Sequence, residues 1–301
     1  MNPHTPPLFT GCATALVTPF RNGSLDKPAF LRLLRQQIDG GVDALVVAGT
    51  TGESPTLTDG EKKWLFKTAV EVTAAAPRSI PVIAGTGSNN TRRAVELSRM
   101  AEDCGCHGLL VVTPYYNKAS EAGLVGHYEA VSNATSLPLI AYHVPARTGC
   151  KMSPAACQKL AAIPTVVGLK DATGDLSFTA RVAALCGDSL PLYSGNDDQT
   201  LPILSLGGRG VISVVSNPCP EAVTSLCRLW QEGKTAEAKA LQLSLIPLCD
   251  ALFCEVNPIP VKAAMEMLGL CSAEVRLPLA EADEGVRGKV AAALRGVGML
   301  Q

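Results

Sequence analysis

The chain has 301 residues, 47% of them hydrophobic, with 26 Lys and Arg against 27 Asp and Glu. That length suits one large α/β domain or two ordinary ones, and balanced charge without a basic tail or stripe argues against nucleic acid and anionic membrane as partners. No apolar run approaches the ~20 residues of a membrane span, and the opening stretch MNPHTPPLFTG has neither the basic start nor the apolar centre of a secretory signal; the cytoplasm is the expected compartment.

Short β-rich runs recur along the chain: CATALVTPF, DALVVAGTT, IPVIAGTG, HGLLVVTPYY, LPLIAYHVP, TVVGLKDA, LPLYSGND and GVISVVSN. Helical periodicity fills the spaces between them. DKPAFLRLLRQQIDGG places Phe30, Leu33, Leu34 and Ile38 on one face and stops at a Gly pair, TDGEKKWLFKTAVEVTAAA follows, and NNTRRAVELSRMAEDCG opens on an Asn cap and ends at Gly. Strand–helix alternation of this kind implies a parallel sheet. Its strands are continuous apolar runs, hence buried on both faces. Eight of them in this rhythm predict a (β/α)8 barrel over residues 1–233. Past Asn217 the strand signal stops. PEAVTSLCRLWQEGK would close the barrel, and the remaining helical text, 234–301, predicts a C-terminal helical domain.

The cysteines, eleven in all, include Cys12, Cys157, Cys186 and Cys227 inside apolar or helical text, and read as small core residues reduced in the cytosol. CGCH at 104–107 has no second cluster at ligand spacing and fits a helix end running into a strand. His4, His107, His127 and His143 show no ligand spacing, which weakens any metal-dependent chemistry. LGGRG at 206–210 resembles a phosphate cradle, but it precedes the eighth run and so belongs on the face opposite the site.

In a (β/α)8 barrel, chemistry sits at the carboxyl ends of the strands. There stand Thr50, Thr51, Gly52 and Glu53, then Tyr115 and Tyr116, Tyr142 with Arg147 after it, Lys170, Gly195, and Ile212. Lys170 ends an apolar strand. Partial desolvation there lowers an amine's pKa, and a neutral amine forms Schiff bases with carbonyl substrates. The plain alternative is a lysine that snorkels outward and pairs with Asp171, and position alone does not separate the two. A Schiff-base route needs proton carriers, which Tyr142 on the adjacent strand, with Thr51 and Tyr116, could supply. Each tyrosine taken singly is equally an aromatic tied to a nearby carbonyl. Thr50 and backbone N–H groups could hold a small carboxylate. Arg147, in the VPARTG loop, could grip one in bidentate fashion or simply be solvated.

GTTGES at 49–54, TPYYNK at 113–118, YHVPARTG at 142–149, GLKDATGD at 168–175 and SGND at 194–197, with GVISVVSN and NPIPVK (257–262), resemble the dihydrodipicolinate synthase family of the Schiff-base aldolase superfamily, in order over nearly the whole chain. The resemblance implies condensation of pyruvate with aspartate 4-semialdehyde in lysine biosynthesis, with no cofactor and no metal. It implies that Lys170 forms the imine, that Tyr142 carries protons in a relay with Thr51 and with Tyr116 of an adjacent subunit, that Arg147 binds the semialdehyde carboxylate, and that Gly195 and Ile212 contribute backbone near the lysine. It also implies a homotetramer built from paired dimers. Sibling aldolases acting on sialic acid or keto-deoxy sugar acids share the lysine and tyrosine; the arginine in PARTG separates the synthase from them, because a dicarboxylic product path needs a second cationic grip. A catalytically silent keto-acid-binding barrel is the alternative from another class.

Three departures stand out. Lysine-inhibited members carry histidines after GES and an acid in the helix following the third strand. Here Asp59 and Lys62 take the histidine places and Arg93 the acid's. A cationic effector would meet like charge, so weak or absent inhibition by lysine is expected. SGND also puts Asn196 where an acid is commoner, with a modest expected effect.

Overall fold

A computed structural model describes residues 7–301; residues 1–6, with His4 and the first part of the stretch compared above with a secretory signal, lie outside the described residues. Each of the eight apolar runs forms a strand: β1 Gly11–Ala15, β2 Ala44–Val47, β3 Val82–Gly85, β4 Gly108–Val112, β5 Leu139–His143, β6 Val166–Asp171, β7 Leu192–Ser194 and β8 Gly210–Ser213. They close into a parallel barrel in chain order, with β1 pairing both β2 and β8. The predicted (β/α)8 architecture holds. A two-stranded hairpin, Phe20–Arg21 with Ser24–Leu25, was not foreseen.

Alternation along each strand divides the apolar residues into two clusters. Ala13, Ala15, Ala44, Val46, Ile83, Ile140, Tyr193 and Ile212 fill the barrel interior, while Cys12, Leu45, Val47, Val82 and Leu169 face the surrounding helices. Phe9 plugs the lower end, stacked 4.4 Å from the Tyr193 ring, whose hydroxyl donates to the Phe9 carbonyl.

The helices start where polar caps permit. Asp26 caps α1 (Lys27–Asp39), a Thr58–Glu61 capping box opens α2 (Asp59–Ala74), and Asn90 caps α3 (Thr91–Asp103). Ser120, Ser153 and Asp175 do the same for α4 (Glu121–Ser132), α5 (Pro154–Ala161) and α6 (Leu176–Cys186). Then come α7 (Thr200–Ser205) and α8 (Pro220–Gln231), followed by α9 (Thr235–Leu252), α10 (Ile259–Met267) and α11 (Glu284–Gly296), which pack on one another, with α9 laid against α8. On α1 the buried face is Ala29, Phe30, Leu33, Leu34 and Gln37, with Ile38 only half-buried. Gln37 can be buried because its amide is satisfied: it accepts from the Thr14 hydroxyl and donates to the Ser216 and Asn217 carbonyls.

All the cysteines except Cys254 are buried, and none is paired. The CGCH segment is the predicted junction: α3 ends at Asp103, β4 begins at Gly108, and His107 Nδ1 accepts from the Val82 amide. Among the described residues no group of three or more His, Cys, Asp or Glu is placed to hold a metal ion, and no helix is long and apolar enough to cross a membrane.

Candidate active site

The aim of Lys170 is set by an irregularity in the sheet. Leu139 of β5 pairs with Val166, but the next residue, Ile140, pairs with Gly168, so β6 carries one extra residue. Before the shift Val166 faces the helices and Val167 the interior; after it Leu169 faces the helices. Gly168 takes the extra inward position, where a Cβ would lie 2.9 Å from the Tyr193 ring. Lys170 therefore pairs in register with Tyr142 and shares its inward face. Without the bulge the lysine would point at the helices.

Lys170 is 5% exposed, with Nζ 4.2 Å from the centroid of the Tyr142 ring. Burial pushes its amine down to about 8; Asp197 opposes the shift and Arg147 adds to it. Asp171 faces the other way, accepting from the Thr179 hydroxyl at 2.6 Å and the Thr173 amide at 2.9 Å. The snorkelling pair with Asp171 is thus not formed. Asp197 is the acid whose charge opposes the Lys170 shift; its carboxylate is buried and held by the Ser213 hydroxyl and the Val214 and Val215 amides. Asn196, standing where an acid is commoner, uses its backbone carbonyl to accept from the Ser194 hydroxyl. Gly195 comes so close that a Cβ there would lie 3.1 Å from Lys170 Cε. Ile212 is fully buried in the interior cluster beneath them.

The threonines after β2 are arranged differently from expectation. Ala48 and Glu53 both have positive φ, 52° and 53°, so the chain coils between them and strand alternation no longer applies. Thr50, not Thr51, is the threonine whose hydroxyl acts on the Tyr142 phenol. The Thr51 hydroxyl instead accepts from Asn257 Nδ2 at 2.9 Å. Among the described residues no hydrogen bond joins Thr51 to Tyr142. Burial raises the Tyr142 phenol, while the Arg147 charge and the Thr50 hydrogen bond pull it back. The backbone N–H groups of Thr50 and Thr51 donate to nothing among the described residues.

Arg147 sits on a single helical turn, Pro145–Thr148, and donates to the Asn257 carbonyl at 2.8 Å. Tyr116 does not join this group within the chain. It is 86% exposed with φ 70°, its amide held by the Thr148 carbonyl. A cavity of about 460 Å³ opens beside Tyr142, Thr50 and Arg147 and continues to Ser54, Lys62, Arg93 and Tyr115. Sequence reasoning missed Asn257 as a site residue, because it reaches the site from 206 residues away.

Comparison with known proteins agrees with this architecture. The Dihydrodipicolinate synthetase family profile matches residues 8–296. The chain is 45% identical to the 4-hydroxy-tetrahydrodipicolinate synthase of Clostridium perfringens over 92% of this chain and 94% of that one. It is 45% identical to the enzyme of the same name from Citrifermentans bemidjiense, over 96% and 98%. The crystal structure of dihydrodipicolinate synthase from Thermotoga maritima superposes with a TM-score of 0.94 at 42% identity, covering 97% of this chain and all of that one. With the family's matched span running across both the barrel and the C-terminal helices, the chain belongs to the dihydrodipicolinate synthetase family.

Proposed function

We propose that this chain is a lyase of the 4-hydroxy-tetrahydrodipicolinate synthase type, in which Lys170 forms an imine with pyruvate that then condenses with L-aspartate 4-semialdehyde. The observation that carries the site assignment is the buried Lys170 amine, lowered to about 8, over the Tyr142 ring. The amine lone pair attacks the keto carbon, and the carbinolamine loses water with a proton delivered through Tyr142. The neighbouring methyl group then gives up a proton, and the resulting enamine carbon adds to the aldehyde. Attack of the adduct's own amine on the imine carbon closes the heterocycle and releases Lys170.

In this reading Thr50 and Tyr142 form the proton relay, and Thr51 with the free N–H groups of Thr50 and Thr51 holds the pyruvate carboxylate. Arg147 holds the carboxylate of the second substrate. Tyr116 completes the relay of a neighbouring subunit, which makes the working unit at least a dimer and, by family resemblance, a tetramer. Its high exposure beside the Arg147 turn supports that placement. A cytoplasmic location suits thiols that are all unpaired.

Borohydride trapping with pyruvate and peptide mass mapping test the assignment. A pyruvyl adduct on Lys170, absent from Lys170→Ala, is expected; no adduct in the folded protein would overturn it. Mixing inactive Tyr116→Phe and Lys170→Ala subunits should restore activity if Tyr116 works across the interface.

A further inference from the structure

We infer that Asn257 is a positioning residue for the first substrate: its side-chain amide fixes the direction in which the Thr51 hydroxyl donates. Asn257 lies between α9 and α10, is 7% exposed, and touches the site twice. Its Nδ2 donates to Thr51 Oγ1 at 2.9 Å, and its backbone carbonyl accepts from the Arg147 guanidinium at 2.8 Å. Its Oδ1 is buried with no partner. Of its side-chain polar atoms, only the donor is used on the protein.

The direction of that bond has a chemical consequence. A hydroxyl has one proton and two lone pairs. With a lone pair of Thr51 Oγ1 occupied by the Asn257 amide, the hydroxyl proton is turned away from Asn257. It is left to donate where a negative group sits, beside the unpaired N–H groups of Thr50 and Thr51. A keto-acid carboxylate thus finds a donor already oriented, with no rotor to order at binding. The inference rests on the reading of Thr51 as a carboxylate donor.

The two contacts give the test its control. The side chain serves Thr51, whereas the backbone serves Arg147. Asn257→Ala and Asn257→Asp should each raise the KM for pyruvate by about tenfold or more, the loss expected for a hydrogen bond to a charged group. Asp keeps the shape and an acceptor but has no donor, so it draws the Thr51 proton toward itself; it also serves if the alanine variant does not fold. The KM for the semialdehyde should stay within about twofold, because the carbonyl that holds Arg147 survives both changes. Thr51→Val combined with Asn257→Ala should be no worse than Thr51→Val alone, since the two act as one unit.

Additive losses, a semialdehyde KM that rises in step with that of pyruvate, or an Asn257→Asp protein with unaltered pyruvate KM would each overturn the inference. If Thr51→Val leaves the pyruvate KM unchanged, the reading of Thr51 falls and the inference with it. If Thr51→Val is impaired while Asn257→Asp is not, the inference alone falls.

Discussion

Glu53 and Lys262 form a fully buried ion pair, 2.5 Å between Oε1 and Nζ, that joins the loop after β2 to helix α10. Lys262 also donates to the Glu274 carbonyl at 2.6 Å and lies 4.2 Å above the Phe20 ring, while the second Glu53 oxygen accepts from the Arg276 amide. Burial lowers the Lys262 amine, and the Glu53 charge opposes that shift. This knot holds Glu53 in its left-handed conformation two residues past Thr51, so helix α10 supports the loop that carries Thr50 and Thr51.

Removing one partner leaves the other buried and unpaired. Lys262→Met or Glu53→Gln should each cost about 3–5 kcal/mol, and the double variant should recover part of that loss. Urea denaturation of the three proteins checks it. A double variant as unstable as the sum of the singles would contradict the pairing.

The pH dependence of imine formation follows from the lowered Lys170 amine. Only the neutral amine attacks pyruvate, and the folded-state value is about 8. Well below that pH the trapping rate should rise about tenfold per unit, levelling off above it. An ordinary exposed lysine would keep rising for some two units more. Borohydride trapping at fixed pyruvate across this range distinguishes them.

Arg147 lowers both Lys170 and Tyr142 through its charge. Arg147→Ala should move the trapping profile to higher pH and raise the KM for the semialdehyde by about tenfold or more. Arg147→Lys should restore the profile but not the full affinity, since an ammonium cannot offer the guanidinium's paired donors. Steady-state kinetics alongside trapping separates the two effects.

Tyr142→Phe should lower kcat by about 10²–10⁴, the usual contribution of a positioned proton carrier. Thr50→Val should share part of that loss and Thr50→Ser very little, because the serine keeps the hydroxyl that lowers the Tyr142 phenol. Equal kcat values for Thr50→Val and the unaltered enzyme would remove Thr50 from the relay.

The barrel was legible because its strands are buried on both faces and its helices begin at polar caps, both local signals. Lys170 was legible as an out-of-place charge at the end of an apolar strand. Its inward aim was not, since the bulge at Val167 and Gly168 leaves no mark on apolar periodicity and depends on pairing with β5. The directions of Thr50 and Thr51 could not be read from strand alternation because Ala48 and Glu53 take positive φ, a conformation neither residue type advertises. Gln37 replaced Ile38 on the buried face of α1 once its partners Thr14 and Ser216 were near. Asn257 reaches the site only through tertiary packing.

The cavity beside the site is poorly made for a cationic effector. Lys62 is 5% exposed and makes no ion pair among the described residues; burial, with Arg93 nearby, lowers its amine. Arg93 lines the same cavity and engages Asp59 and Glu96, so the Asp59 carboxylate is already committed. Ser54 and Tyr115 remain as polar contacts, but the ammonium of free lysine would have to displace an ion pair and stand beside two like charges. Initial rates with increasing L-lysine, at both low and saturating pyruvate, should therefore stay flat at low effector concentration. Arg93→Glu, which supplies an acid and frees Asp59, should make the enzyme more sensitive to lysine than the unaltered protein. Strong inhibition of the unaltered protein by low lysine would show that the cavity accepts a cation despite Lys62 and Arg93.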